Sequence, residues 1–212
     1  MLGVTKGYIE RFLANEQYME RMAEIPHLCT DAELLIHCVA AKAIIDTYRS
    51  TAYPVVGFWG LCESLIPRSL AGGDEYTHKC LTFRKEEIVL PNGMSIQYPN
   101  LRQERDKDTK EVSWVYGRPG EKQTKLYAGK ITNNVTQGLA RIVMTDGMLR
   151  TAKRYPVAGT VHDEQIVVVP ENESDDAFKW IIEQMTQEPS YMPGLPLNAD
   201  GGVHRRYGMA KN

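Results

Sequence analysis

The chain is 212 residues long, the length of one large domain or two small ones. Its 25% charged and 42% hydrophobic residues suit a folded globular protein and argue against long disorder. A net charge of −2 excludes a polycation, so any nucleic-acid contact must come from a local patch.

The first 70 residues read as helical. Tyr8, Ile9, Phe12 and Leu13 recur at helical spacing, and Pro26 closes that segment. Thr30 and Glu33 have the spacing of a capping box, followed by an apolar face of Leu34, Leu35, Val39, Ile44 and Ile45 running toward Tyr48. Pro54 suits the first turn of a third helix carrying Phe58, Trp59, Leu61 and Leu65. Pro67 kinks or ends it, and Gly72 with Gly73 breaks the chain. The residues at 88–90 and 95–98 then read as two strands around an Asn92-Gly93 turn. Residues 101–130 carry eight Lys/Arg against five Asp/Glu and read as a basic connection, with short strand character at 114–116. A helix is expected over about 133–154, on Val135, Leu139, Ile142, Val143 and Leu149, then strands at 157–161 and 166–169. Ser174 can cap a last helix running to about 187, with Asp175 and Asp176 at its positive end. The expected class is α+β.

The longest run without Asp, Glu, Lys or Arg, residues 50–62, is too short to span a bilayer, and the opening residues lack the apolar core of a signal peptide. The cysteines at 29, 38, 62 and 80 show no CxxC spacing and read as reduced thiols. A cytoplasmic protein with no membrane partner is the expectation.

Two constellations carry chemistry. His162, Asp163 and Glu164 interrupt two strands otherwise made of Val, Ile, Ala, Gly and one Thr. They read either as a solvated turn or as carboxylates holding a divalent cation, since Mg2+ prefers carboxylate oxygen completed by water and substrate phosphate. Lys130, Asn133, Gln137 and Arg141 fall on one face of the expected helix, the last three at successive i+4 steps. That face is either merely solvated or a polar ridge for sugar edges and phosphates; Asn and Gln are unusual choices for solubility alone.

Several segments together resemble the family A DNA polymerases, in particular their phage-type branch. GTVHDEQIVVVP is similar to that family's His-Asp-Glu palm motif, and LYAGKITNNVTQGLARIVM to its palm helix. IVLPNGMSIQYPNLR resembles the segment usually written Leu-Pro-Ser-Gly-Arg, IIDTYRSTAYPVVGFW the helix pair after the fingers helix, and GLPLNADGGVHRRYG the C-terminal strand and tail. The five stand in the family's order from about Thr30 onward. The resemblance implies late fingers helices over 1–80 and, over 81–212, a palm with an antiparallel sheet and packed helices. It implies that Asp163 binds catalytic Mg2+ with Glu164 in support, that His162 lies near the primer terminus, and that Asn133 and Gln137, flanked by Lys130 and Arg141, contact primer-template DNA. The implied reaction is attack of a primer 3′ hydroxyl on the α-phosphate of a deoxynucleoside triphosphate, with two Mg2+ ions. The sequence contains no D-[YF]-S-x-I-E segment for the family's second metal aspartate, and the fingers lysine would align upstream of Met1. The expectation is therefore a split polymerase whose other polypeptide supplies both. Two other readings remain: a non-catalytic DNA-binding or assembly subunit, and a metal-dependent phosphohydrolase built on 162–164.

Overall fold

A computed structural model describes residues 4–25, 30–107 and 110–209. It is an α+β protein, and by density of contacts it divides into two compact units, 1–59 and 60–212. This division lies upstream of residue 80, where the family resemblance puts its boundary.

The first unit is built of helices. The expected single helix before Pro26 is two, α1 (Lys6–Leu13) and α2 (Glu16–Ala23). The break follows from Asn15, whose side chain accepts the Tyr18 N–H at 3.2 Å and starts a new helix. Thr5 does the same for α1. Pro26 and Cys29 lie outside the described residues. The capping box opens α3 (Asp31–Thr51) as the spacing predicts: Thr30 Oγ1 accepts the Glu33 N–H, and Glu33 Oε2 accepts the Thr30 N–H at 2.9 Å. α1 is tied to α3 by Tyr8, which donates to Asp46 Oδ2 at 2.7 Å, while Lys42 pairs with the other Asp46 oxygen. The Lys42 and Tyr8 hydrogen bonds hold the Asp46 carboxyl below the usual carboxylate range. α4 (Tyr53–Leu65) begins next, with Pro54 in its first turn, and crosses from the first unit into the second.

In the second unit α4 ends at Leu65 and the chain widens into a π-helical turn, Ile66–Ala71, in which Pro67 replaces an N–H that the tighter helix would need. Gly72 closes it, because a Cβ there would sit 2.5 Å from the Arg68 carbonyl oxygen. Four strands follow as an antiparallel meander: β1 (Tyr76–His78), β2 (Leu81–Arg84), β3 (Glu87–Val89) and β4 (Ser95–Gln97). The last two flank the expected Asn92-Gly93 turn, where Gly93 takes a φ of 82°. The basic connection is more ordered than its sequence predicts. It folds as a second antiparallel sheet of β5 (Arg102–Arg105), β6 (Val112–Tyr116) and β7 (Thr124–Leu126).

α5 (Ala128–Thr151) starts five residues earlier than the apolar pattern indicates. The extra turn is secured at a distance: Glu63 Oε1 accepts the Ala128 N–H at 3.0 Å, replacing the side-chain cap that Tyr127 does not provide. β8 (Val157–Val161) and β9 (Glu164–Val167) form a hairpin that pairs with no other strand among the described residues. In α6 (Ser174–Met185), Ser174 is the first helical residue and not the cap expected of it. α6 packs on α5, where Gly147 lies close to the Met185 backbone and Arg150 donates twice to the Gln184 carbonyl, at 3.1 and 2.6 Å. The core of this unit gathers Cys62, Leu65, Ile66 and Leu70 with Phe83, Ile88, Tyr98 and Ile131, each essentially without solvent contact. Cys38, Cys62 and Cys80 are free thiols. No helix among the described residues is long and apolar enough to cross a membrane.

Candidate active site and polar ridge

The β8–β9 hairpin closes on the pair Val161 and Glu164, so its turn consists of His162 and Asp163 alone. A two-residue turn between twisted strands needs left-handed backbone, and His162 supplies it with a φ of 52°. Lys79 and Glu86 do the same in the β1–β2 and β2–β3 turns, so this backbone is how the protein closes its two-residue hairpins. Both turn residues are exposed. Glu164, read from the sequence as part of the tip, is the first residue of β9, half-buried, and its Oε2 accepts the Tyr207 hydroxyl at 2.9 Å. The tail that brings Tyr207 there is fastened a second time by Arg205, whose guanidinium donates to Glu171 Oε1 at 3.1 and 2.5 Å. The sequence gives no hint of the Tyr207–Glu164 contact, which joins residues 43 apart.

The hairpin is held a second time one rung from its tip, where Gln165 pairs with Thr160. Gln165 Nε2 donates to Thr151 Oγ1 at 3.0 Å, fixing β9 to the last residue of α5. Gln165 Oε1 is buried with no hydrogen-bond partner among the described residues.

The ridge on α5 forms as its spacing predicts. Asn133, Gln137 and Arg141 are exposed and Lys130 is half-buried, while Ile131, Val135 and Ile142 on the opposite side are buried. Gly138 sets the helix against the first sheet, where a Cβ would meet Leu90 Cδ1 at 3.0 Å. Asn134, beside the ridge, serves the core: its Nδ2 donates to the buried Tyr98 hydroxyl at 3.2 Å. Sequence reasoning missed it because its partner lies 36 residues away. At 1.5 Å per residue, Arg141 lies about 15 Å and Asn133 about 27 Å along the helix from Thr151, where the hairpin is anchored. The ridge and the tip are thus separate contact points, linked through the Gln165–Thr151 hydrogen bond.

Asp163 in the turn and Glu164 at the start of β9 carry hard oxygen donors, the type that Mg2+ prefers along with water and phosphate oxygens. No group of three His, Cys, Asp or Glu side chains placed to hold a metal ion occurs among the described residues. Comparisons with protein-family models, with curated proteins and with solved structures return no match for the chain.

Proposed function

We propose that the chain is the palm-bearing part of a DNA-directed DNA polymerase that transfers nucleotides to a primer 3′ hydroxyl, working with a polypeptide segment that brings the second metal aspartate and a phosphate-binding lysine. The observation that carries this reading is the two-residue tip holding His162 and Asp163 in the open, beside Glu164, on the hairpin hydrogen-bonded to the ridged helix α5.

In this reading Asp163 holds Mg2+ and Glu164 supports it. When bound, Mg2+ neutralises phosphate charge and stabilises the attacking and leaving oxygens of an in-line displacement. The chain's own residues do the positioning. The turn is too short to let Asp163 wander, Tyr207 fixes one Glu164 oxygen, and Thr151 holds the hairpin on α5. Asn133 and Gln137 carry both donors and acceptors and suit base and sugar edges on the primer-template, whereas Lys130 and Arg141 suit phosphates. His162 stands next to Asp163, where the primer terminus would lie.

The test is primer extension with Mg2+ by this chain together with a polypeptide carrying a D-[YF]-S-x-I-E segment. Asp163→Asn should slow single-turnover extension by about 1,000-fold or more, the loss of several kcal/mol of transition-state stabilisation, with primer-template affinity largely kept. Near wild-type extension by Asp163→Asn would sink the assignment. Duplex binding without extension in any such combination would favour a non-catalytic DNA-binding subunit.

A further inference from the structure

The cations of 101–130 are not spread evenly. Arg118 and Lys122 stand in the loop between β6 and β7, and Lys125 stands in β7. All three are exposed, and none has a carboxylate partner among the described residues. Glu121 is the one acid in the sequence 117–125.

The loop that bears them is held in a fixed shape. Gln123 Nε2 donates to the Arg118 carbonyl at 3.3 Å and to the Glu121 carbonyl at 2.9 Å, and its Oε1 accepts from Arg102 at 3.1 Å. The Gly117 N–H donates to the Pro99 carbonyl at 2.8 Å, and Gly117 and Gly120 supply the positive φ angles, 147° and 84°. One side-chain amide therefore satisfies the inward carbonyls, and the cations are left facing solvent. A loop ordered beforehand loses less entropy on meeting a ligand. β7 passes to α5 through Tyr127 alone, which is 54% exposed, so Lys125 and Lys130 stand five residues apart on consecutive elements.

We propose that residues 117–123 and Lys125 grip the sugar-phosphate backbone of a DNA duplex, a contact additional to the α5 ridge. The identity of the ligand rests on the polymerase reading. The chemistry is that of regularly spaced phosphates met by cations that no carboxylate neutralises, and such contacts position a duplex without reading its sequence.

The experiment is a titration of a labelled primer-template with the 212-residue chain between about 50 and 200 mM KCl. The triple variant Arg118→Ala, Lys122→Ala, Lys125→Ala should bind about tenfold or more weakly near ~0.1 M salt, and its slope of log K against log[salt] should be shallower by about two to three, from a loss of roughly 0.9 per phosphate contact. Lys85→Ala with Lys179→Ala, two exposed cations elsewhere, should leave the slope unchanged. Gln123→Ala keeps every cation, so it should weaken binding a few-fold at an unchanged slope. A triple variant with wild-type affinity and slope overturns the inference and leaves the polymerase reading standing. A wild-type chain with no salt-dependent affinity for the duplex overturns both. Circular dichroism of each variant verifies the fold.

Discussion

At the scale of single residues, the site owes its shape to His162. A non-glycine residue at φ 52° costs on the order of 1 kcal/mol or more, a cost His162 shares with Lys79 and Glu86 in the other two-residue turns. His162→Gly should therefore raise stability by about 1 kcal/mol in thermal unfolding while extension falls or stays level; a loss of stability would show that the imidazole makes the turn instead of straining it. Tyr207→Phe removes only a hydroxyl from Glu164, and should raise the Mg2+ concentration needed for half-maximal extension several-fold with the unfolding temperature little changed. On α5, Asn133→Ala and Gln137→Ala should weaken primer-template binding, measured at fixed salt. Arg150→Ala, outside the ridge, should instead lower stability by about 1–3 kcal/mol, because it leaves the Gln184 carbonyl without its two donors.

At the scale of elements, what was legible in the sequence was local. The capping box of α3, the Asn92-Gly93 turn, the body of α5 and the hairpin around His162 each declare themselves within a short stretch of chain. The strands β1, β2, β5 and β7 do not. They are three or four residues long, too short for alternation to register, and β5 reads Arg-Gln-Glu-Arg with no apolar position. They exist because a partner strand supplies the ladder: Val115 of β6 stands between Arg102 and Lys125. The early start of α5 was hidden for a similar reason, since its capping carboxylate, Glu63, comes from 65 residues upstream. Glu63→Ala should cost about 1 kcal/mol of stability and speed amide exchange in the first turn of α5, whereas Glu63→Gln, which keeps an acceptor oxygen, should cost less. Of the candidate site, the ridge and the tip could be read as patterns, but the Tyr207 and Thr151 contacts that hold them could not, because each joins residues distant in the chain.

At the scale of the whole molecule, burial sets the alkaline limit of stability. Burial pushes the Cys62 thiol from 9.0 and the Tyr98 hydroxyl from 10.0 up to about 12 each. Both groups are neutral when protonated, so between their unfolded and folded values the unfolded chain releases protons that the folded chain keeps. Their contribution is full below about pH 9 and is lost progressively as pH rises toward about 12. Denaturant midpoints should fall across that window, and Tyr98→Phe should flatten part of the fall. On the proposed polymerase reading, Asp163 would supply one of the two metal aspartates, and the 212-residue chain by itself should give no templated synthesis with Mg2+. Robust extension by the lone chain would refute the requirement for a second polypeptide segment.

The two-stranded β8–β9 hairpin has a consequence for the timing of proton exchange. In an antiparallel pair alternate amides point away from the partner strand, and here no third strand among the described residues receives them. In deuterated buffer those outward amides should exchange far faster than their inward neighbours, and faster than the amides of β6, which has a strand on either side. If another polypeptide adds a strand beside Asp163, the same amides should slow by orders of magnitude. The hairpin would then carry its own isotopic clock, recording when its edge is covered.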